Sequence, residues 1–234
     1  MKVAVISDIH GNHYALDEVL SIAKKKGVSK LLVLGDIVGY YYHPDKVMTL
    51  LNDWDYELIK GNHENLLMQL LNKEIEGDVL KKKYGSGHQL ALEKLSKDQI
   101  QALITAPVQK HIKIEGVNML MCHGSSFDPD FYIYPDSEEN IFKKCNDPLM
   151  DFVLIGHSHY PFIHSNLNST LINVGSVGQS RILGGVANWA LINTDNKCVE
   201  LMSTSYDVKD LISDVNSIDP DLPYLKNILT RKIT

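Results

Sequence analysis

Five short stretches of this 234-residue chain set aspartate, asparagine and histidine beside glycine. They are Asp8-Ile9-His10-Gly11, Gly35-Asp36, Gly61-Asn62-His63-Glu64, Cys122-His123-Gly124 and Gly156-His157-Ser158-His159. Carboxylate oxygens and imidazole nitrogens together suit divalent cations of borderline hardness. Five of the ten histidines lie in these stretches. A lone histidine at a strand end is more often structural, and metal centres are recognised by clusters. Two adjacent cations need carboxylates for charge, imidazoles for affinity and one shared ligand. Asp8 and Asp36 supply the charge; His10, His123, His157, His159 and the Asn62 side-chain oxygen are the neutral donors. The positive charge left over would bind a phosphate anion and acidify a water. The pattern therefore predicts a two-metal site that hydrolyses phosphate esters.

The elements that must position these residues follow from apolar runs. Residues 3–6 form an unbroken apolar run ending at Ser7-Asp8, as for a strand buried on both faces. From 12 to 26 the apolar residues recur at helical spacing, with Asn12 suited to cap the start and Gly27 to stop the helix. Residues 31–34 predict a second buried strand, so the unit reads strand-helix-strand and implies a parallel sheet. A loop with three tyrosines and His43 leads to Pro44, which opens a helix to about residue 52. A third strand over 56–59 ends at Gly61-Asn62-His63. Ligands in open α/β sheets bind at the carboxyl ends of the strands.

Residues 64–106 carry no strand signal. Their leucines predict amphipathic helices broken near Gly77 and at 84–87, serving either as a lid or as packing on the sheet. A hairpin is predicted over 108–121 about Glu115-Gly116. Ser137 is placed to cap a helix through residue 144, with Glu138 and Glu139 in its first turn. Strands are predicted at 152–155, around 162, and at 171–174, 188–193 and 199–203. The tail from 207 reads as helical, with a last short helix from Tyr224. No repeat or linker divides the chain. One domain over 1–234 is expected, with a helical insertion at about 64–106.

Net charge is −6 without a basic stripe, which argues against long nucleic acid as partner. Cys122, Cys145 and Cys198 lack metal-type spacing and fit a reducing compartment. There is no leader pattern, and no apolar run reaches the ~20 residues of a membrane span. A cytoplasmic protein with no membrane partner is expected.

In order and spacing the five stretches resemble the calcineurin-like metallophosphoesterase superfamily. Gly35-Asp36-Ile37-Val38-Gly39-Tyr40, Asn173-Val174-Gly175-Ser176-Val177-Gly178-Gln179 and Ser205-Tyr206-Asp207-Val208 extend the resemblance to its small YfcE-like phosphodiesterase branch. The resemblance implies an α/β fold, a four-layer αββα sandwich with two central sheets flanked by helices. It implies Asp8, His10, Asp36 and His159 around one metal, and Asp36, Asn62, His123 and His157 around the other, with Asp36 as the bridge. It further implies a metal-bridging hydroxide as nucleophile and His63 as the acid that protonates the leaving oxygen or steadies the charge on the transferring group. Glu64 would support His63, open the next helix, or stand as a solvated acid in that helix's first turn. The chain departs from the branch at Tyr41-Tyr42-His43 and at Val174. Both are loop positions that bear on substrate choice.

The donor set favours Mn, Fe or Zn as the two divalent metal ions, with Ni and Mg left open. Arg181, after the turn at 175–178, and His43 are the candidate substrate-binding residues. That turn is not a P-loop, since no Gly-Lys-Ser/Thr follows it. His13 is a weaker candidate. Tyr40, Tyr41 and Tyr42 would either stack a base or pack beneath the loop. His88, His111 and His164 suggest nothing. The expected function is a phosphodiesterase acting on a small soluble phosphate ester. A phosphomonoesterase or dinucleotide polyphosphate hydrolase would share the metal site, and a non-catalytic metal-binding scaffold would share the fold. Homo-oligomer formation is left open.

Overall fold

The computed structural model describes residues 1–165 and 168–232. Its first third alternates strand and helix: β1 (Lys2–Ile6), α1 (His13–Lys25), β2 (Lys30–Val33), α2 (Pro44–Asn52) and β3 (Tyr56–Leu58). Asn12 caps α1 by accepting the Ala15 N–H at 3.1 Å. Four helices follow: α3 (Asn62–Leu71), α4 (Gly77–Tyr84), α5 (Gly87–Lys94) and α6 (Lys97–Thr105). β4 (Gln109–Ile114) and β5 (Val117–Cys122) form the expected hairpin. Its two turn residues, Glu115 and Gly116, both take positive φ, 46° and 84°, as a tight hairpin requires. Then come α7 (Glu139–Cys145), β6 (Phe152–Ile155), β7 (Phe162–His164), β8 (Thr170–Asn173), β9 (Val186–Asn193), β10 (Cys198–Ser205), α8 (Lys209–Ile218) and α9 (Pro223–Leu229).

The strands form two five-stranded sheets, in the orders β10-β9-β1-β2-β3 and β4-β5-β6-β8-β7. β1, β2 and β3 are parallel, and so are β5, β6 and β8. The continuous apolar runs are explained by burial on two sides. Val3, Val5, Leu32 and Leu34 of the first sheet meet Met119, Met121, Leu154 and Ile172 of the second in a shared core. Ala4, Ile6, Leu31 and Val33 point the other way, against Leu16, Val47, Leu67, Ala91 and Leu103 of α1, α2, α3, α5 and α6. The outer face of the second sheet is covered by Phe142 and Cys145 of α7 with Ile133. The result is an α/β fold of four layers: helices, sheet, sheet, helix. Each fully buried aliphatic side chain contributes about 1.5–3 kcal/mol by leaving water.

Three details differ from, or decide between, the sequence readings. The helix after residue 137 starts one position later than expected. Glu138 is its cap residue, while the Ser137 hydroxyl turns back to accept the Tyr134 N–H at 2.9 Å. Tyr41 and Tyr42 are fully buried against Leu211, Val215, Leu225 and Leu229 of α8 and α9, so they pack beneath the loop. The stretch from α3 to α6 is anchored rather than free. Asp219, at the end of α8, accepts the Ser86 N–H at 2.8 Å and the Ser86 hydroxyl at 2.7 Å, which fixes the corner between α4 and α5.

Candidate metal centre

The five stretches follow β1, β2, β3, β5 and β6, at the carboxyl ends of parallel strands in both sheets. Backbone and side-chain hydrogen bonds tie the loops to one another. The Asp8 N–H donates to Gly35 O at 3.1 Å and the His10 N–H to Asp36 O at 2.9 Å. The His63 N–H donates to Asp36 Oδ1 at 2.8 Å and the His157 N–H to Asp8 Oδ2 at 3.0 Å. Behind Asp8, Gly178 donates to its carbonyl at 2.9 Å. Gly178 packs so closely on Ile9 O that a side chain there has no room. Asp8, His10, Asp36, His157 and His159 all have positive φ, between 51° and 63°. A non-glycine residue in that region costs about 1–2 kcal/mol, and such strain gathers at functional sites.

The side chains converge. Asp8, His10, His159 form one group and Asp36, His123, His157 another, with donor atoms within 4.8 Å of one another. His159 Nε2 lies 3.1 Å from Asp8 Oδ1 and 3.3 Å from His10 Nε2. His123 Nε2 lies 3.3 Å from Asp36 Oδ2, 3.1 Å from Asn62 Oδ1 and 3.1 Å from His157 Nδ1. Asp36 sits between the groups, 3.9 Å from His10 Nε2. All seven predicted ligands are thus brought together. Asp8, His10, Asp36, His123, His157 and His159 are buried.

The outer nitrogen of each imidazole is held by a backbone carbonyl. His10 Nδ1 faces Val38 O at 3.1 Å, His123 Nδ1 faces Leu34 O at 2.7 Å and His159 Nδ1 faces Gln179 O at 2.8 Å. His157 is reversed: its Nε2 faces Asp130 O at 3.1 Å. A carbonyl only accepts, so each of these nitrogens carries the proton. The lone pair of the other nitrogen then points into the cluster. Four converging lone pairs and two carboxylates would repel one another without a cation. Asp8 Oδ1, fully buried, has no hydrogen-bond partner among the described residues. The residues present therefore fit divalent metal. The local charges agree. Burial raises the Asp8 carboxyl, but His159 and His123 outweigh it and hold it well below the usual range. Burial lowers His123, but the charge and hydrogen bond of Asp36, with Asp8, push it up to about 10. A proton held there occupies the place a cation would take.

His63 lies beside the cluster, its ring 4.8 Å from that of His10 and 4.9 Å from that of Tyr40. Its imidazole is also within ligand reach of His10 and Asp36. Burial holds its pKa well below the ordinary value against the pull of Asp36. Two partners of His63 carry no local sequence signal. His88 Nε2 lies 3.1 Å from His63 Nδ1, and the Tyr84 ring lies 4.8 Å from the His63 ring. Glu64 opens α3, as one sequence reading held, but not as a solvated acid. It is fully buried and accepts N–H bonds from Gly61, Asp36 and Ile37, each at 2.8 Å. Burial and the charge of Asp36 raise it to about 7 although these amides favour its ionised form.

The two candidate substrate residues are placed differently. Arg181 is half-buried, and its Nε has no partner among the described residues. Its charge favours the ionised forms of Tyr40 and Tyr132. His43 Nε2 pairs with Asp214 at 2.8 Å, with the His13 ring 4.8 Å away. It stands at the start of α2 and is not gathered with the ligands.

Residues 1–197 match the calcineurin-like phosphoesterase superfamily domain. The chain is 31% identical to the uncharacterized protein MJ0912 of Methanocaldococcus jannaschii, covering 88% of each. It is 24% identical to the phosphodiesterase YfcE of Escherichia coli K12, over 83% of this chain and 89% of that one. The structure superposes on that of the hypothetical protein PH1004 of Pyrococcus horikoshii with a TM-score of 0.82. That match is 23% identical and covers 100% of this chain and 99% of the other.

Proposed function

Because the chain belongs to the calcineurin-like phosphoesterase superfamily and is a metal-dependent phosphoesterase, we propose that it hydrolyses small phosphodiesters at a two-metal site. Asp8, His10, Asp36 and His159 would hold one divalent cation, and Asp36, Asn62, His123 and His157 the other. Mn, Fe or Zn suits these donors best. When bound, the cations supply the charge that grips the phosphate and acidifies a water.

The chain's own residues do the rest. Asp36 serves both halves, and Glu64 fixes the loop that carries it. Arg181, with its free Nε, offers a cation to the phosphate. Burial keeps His63 neutral in the free site; it takes up a proton as the anionic phosphate arrives and donates it to the leaving oxygen as the bond to phosphorus breaks. The single observation that carries this reading is the set of four imidazoles whose outer nitrogens are locked on carbonyls, so that four lone pairs meet two buried carboxylates. The name of the relative YfcE supports the choice of diesters. No helix among the described residues is long and apolar enough to cross a membrane.

The deciding experiment measures the metal content of the purified protein, then turnover of bis(p-nitrophenyl) phosphate against p-nitrophenyl phosphate with each added cation. About two metals per chain and faster diester turnover are expected, with both lost in Asp36→Asn. A faster monoester would make the enzyme a phosphomonoesterase. A chain that binds no metal and turns over neither substrate would be a scaffold.

A further inference from the structure

A cleft of about 230 Å³ opens beside Asn62 and His157. Its chemistry differs from that of the ligand cluster. One face of α3 forms its floor: Asn62, Asn65, Leu66 and Gln69 fall at the three-, four- and seven-residue spacing of a single helical stripe. Tyr84, from the end of α4, and Tyr132, from the loop before α7, form its walls. The Tyr132 ring lies 3.9 Å from that of His157 and is half exposed. No lysine or arginine lines the cleft, whereas Asp130 does.

These features select a ligand by elimination. The anionic phosphate belongs on the metals and Arg181. A second phosphate entering the cleft would meet the Asp130 carboxylate with no lysine or arginine to receive it. A sugar or glycerol alcohol would leave two aromatic rings and Leu66 unused. A lipid chain would have to bury the amides of Asn65 and Gln69 against hydrocarbon, which is costly. What fits is an uncharged planar ring bearing donors and acceptors on its edge. Aromatic walls stack such a ring, and side-chain amides pair with its edge. The volume is below the ~300–1,000 Å³ of a site for a whole drug-sized ligand, so it accommodates one ring system.

Resting on the phosphodiesterase reading above, we propose that this cleft binds the nucleoside leaving group of a small nucleotide diester. Tyr84 touches both the cleft and His63, so a base held there brings its attached oxygen toward the acid. The oxygen of water bonds to phosphorus, and the bond from phosphorus to the nucleoside oxygen breaks. That oxygen takes a proton from His63. Of the two protons of the water, one restores His63 and one goes to solvent. The products are a phosphomonoester and a free nucleoside.

The test compares three diesters on the metal-loaded enzyme: a dinucleoside monophosphate, glycerophosphoglycerol and bis(p-nitrophenyl) phosphate. The dinucleoside is expected to exceed the glycerol diester in kcat/KM by about 100-fold. Gln69→Ala is expected to raise KM for the dinucleoside by about three- to tenfold relative to its KM for bis(p-nitrophenyl) phosphate, the worth of one hydrogen bond. Asn65→Ala, on the next turn of the same stripe, should act the same way. Turnover of bis(p-nitrophenyl) phosphate with no preference for the dinucleoside, or with an unchanged KM ratio in both variants, would overturn the cleft assignment alone. Failure to hydrolyse any of the three would overturn the phosphodiesterase reading, and the cleft assignment with it.

Discussion

His88 Nε2 stands 3.1 Å from His63 Nδ1, the two rings parallel within 8° and their centroids 5.0 Å apart. Both rings are buried, and burial lowers both pKa values, that of His88 to about 4. At neutral pH the bond therefore has one donor and one acceptor. His88 Nδ1 has no partner among the described residues. A buried N–H without a partner is rarer than a bare acceptor, so the proton of His88 belongs on Nε2, donated to His63. The proton of His63 is then on its own Nε2, the nitrogen that an acid facing the cluster must use.

If that contact sets the tautomer and ring position of His63, His88→Ala should lower kcat by about 100-fold, the scale of a catalytic group displaced by an ångström. KM should change little, since His88 does not reach the cluster. His88→Gln keeps an N–H donor near the same place and should restore much of the rate. Steady-state kinetics on bis(p-nitrophenyl) phosphate decides it. Equal activity of His88→Ala and wild type would leave His63 oriented by other contacts.

The same residue predicts a pH effect on stability. The folded pKa of His88 is about 4, below the ~6.5 of an unfolded histidine. Between these values the unfolded chain takes up a proton that the folded chain refuses. Its contribution is thus fully present above pH 6.5 and is lost as pH falls toward 4. Relative to His88→Gln, which does not titrate, the wild type should lose up to about 3 kcal/mol across that window. Urea denaturation of both proteins at several pH values measures the difference.

Glu64 predicts a structural failure that spreads to the site. Its carboxylate accepts four buried N–H groups, three at 2.8 Å, one of these from Asp36 itself, and that of Val38 at 3.4 Å. Glu64→Ala removes the acceptor of all four, at about 1–3 kcal/mol for each of the three close bonds. A fall in Tm of roughly 10 °C or more is expected at about 2–4 °C per kcal/mol, with weaker metal binding because the Asp36 loop loosens. Calorimetry and metal titration read the two effects separately. Unchanged Tm would mean that water replaces the carboxylate.

The sequence exposed those parts of the site that are local. Asp8 and His10 follow a two-sided apolar run, and the turn residues between strand and helix must carry any ligand placed there. Asn12 and the Glu115-Gly116 hairpin were legible for the same reason, since cap and turn chemistry acts within a few residues. His88, Tyr84 and Tyr132 were not. His88 reaches His63 from a corner between α4 and α5 that Asp219, 133 residues beyond Ser86, pins. The positive φ of five candidate ligands was equally hidden, because tertiary hydrogen bonds impose it on residues that would not choose it. The cap of α7 was misplaced because Ser137 found a nearer backbone partner in Tyr134.

Gly61 gives the sharpest test of a shared carboxylate. Its φ of −100° suits any residue, so an alanine there strains nothing in the backbone. The added Cβ would collide with Asp36 Oδ1 and come within 2.7 Å of the His123 ring. Neither neighbour can yield freely. Asp36 is held by the His63 N–H at 2.8 Å, and His123 is held by Leu34 O at 2.7 Å. Gly61→Ala should therefore push apart the two groups that face each other across one metal position while the sheets beneath stay packed. The expected outcome is a folded chain, shown by an unchanged circular dichroism spectrum, that binds at most one metal and turns over bis(p-nitrophenyl) phosphate at least about 100-fold more slowly. Full metal content with normal turnover would mean that Asp36 and His123 do not share a cation.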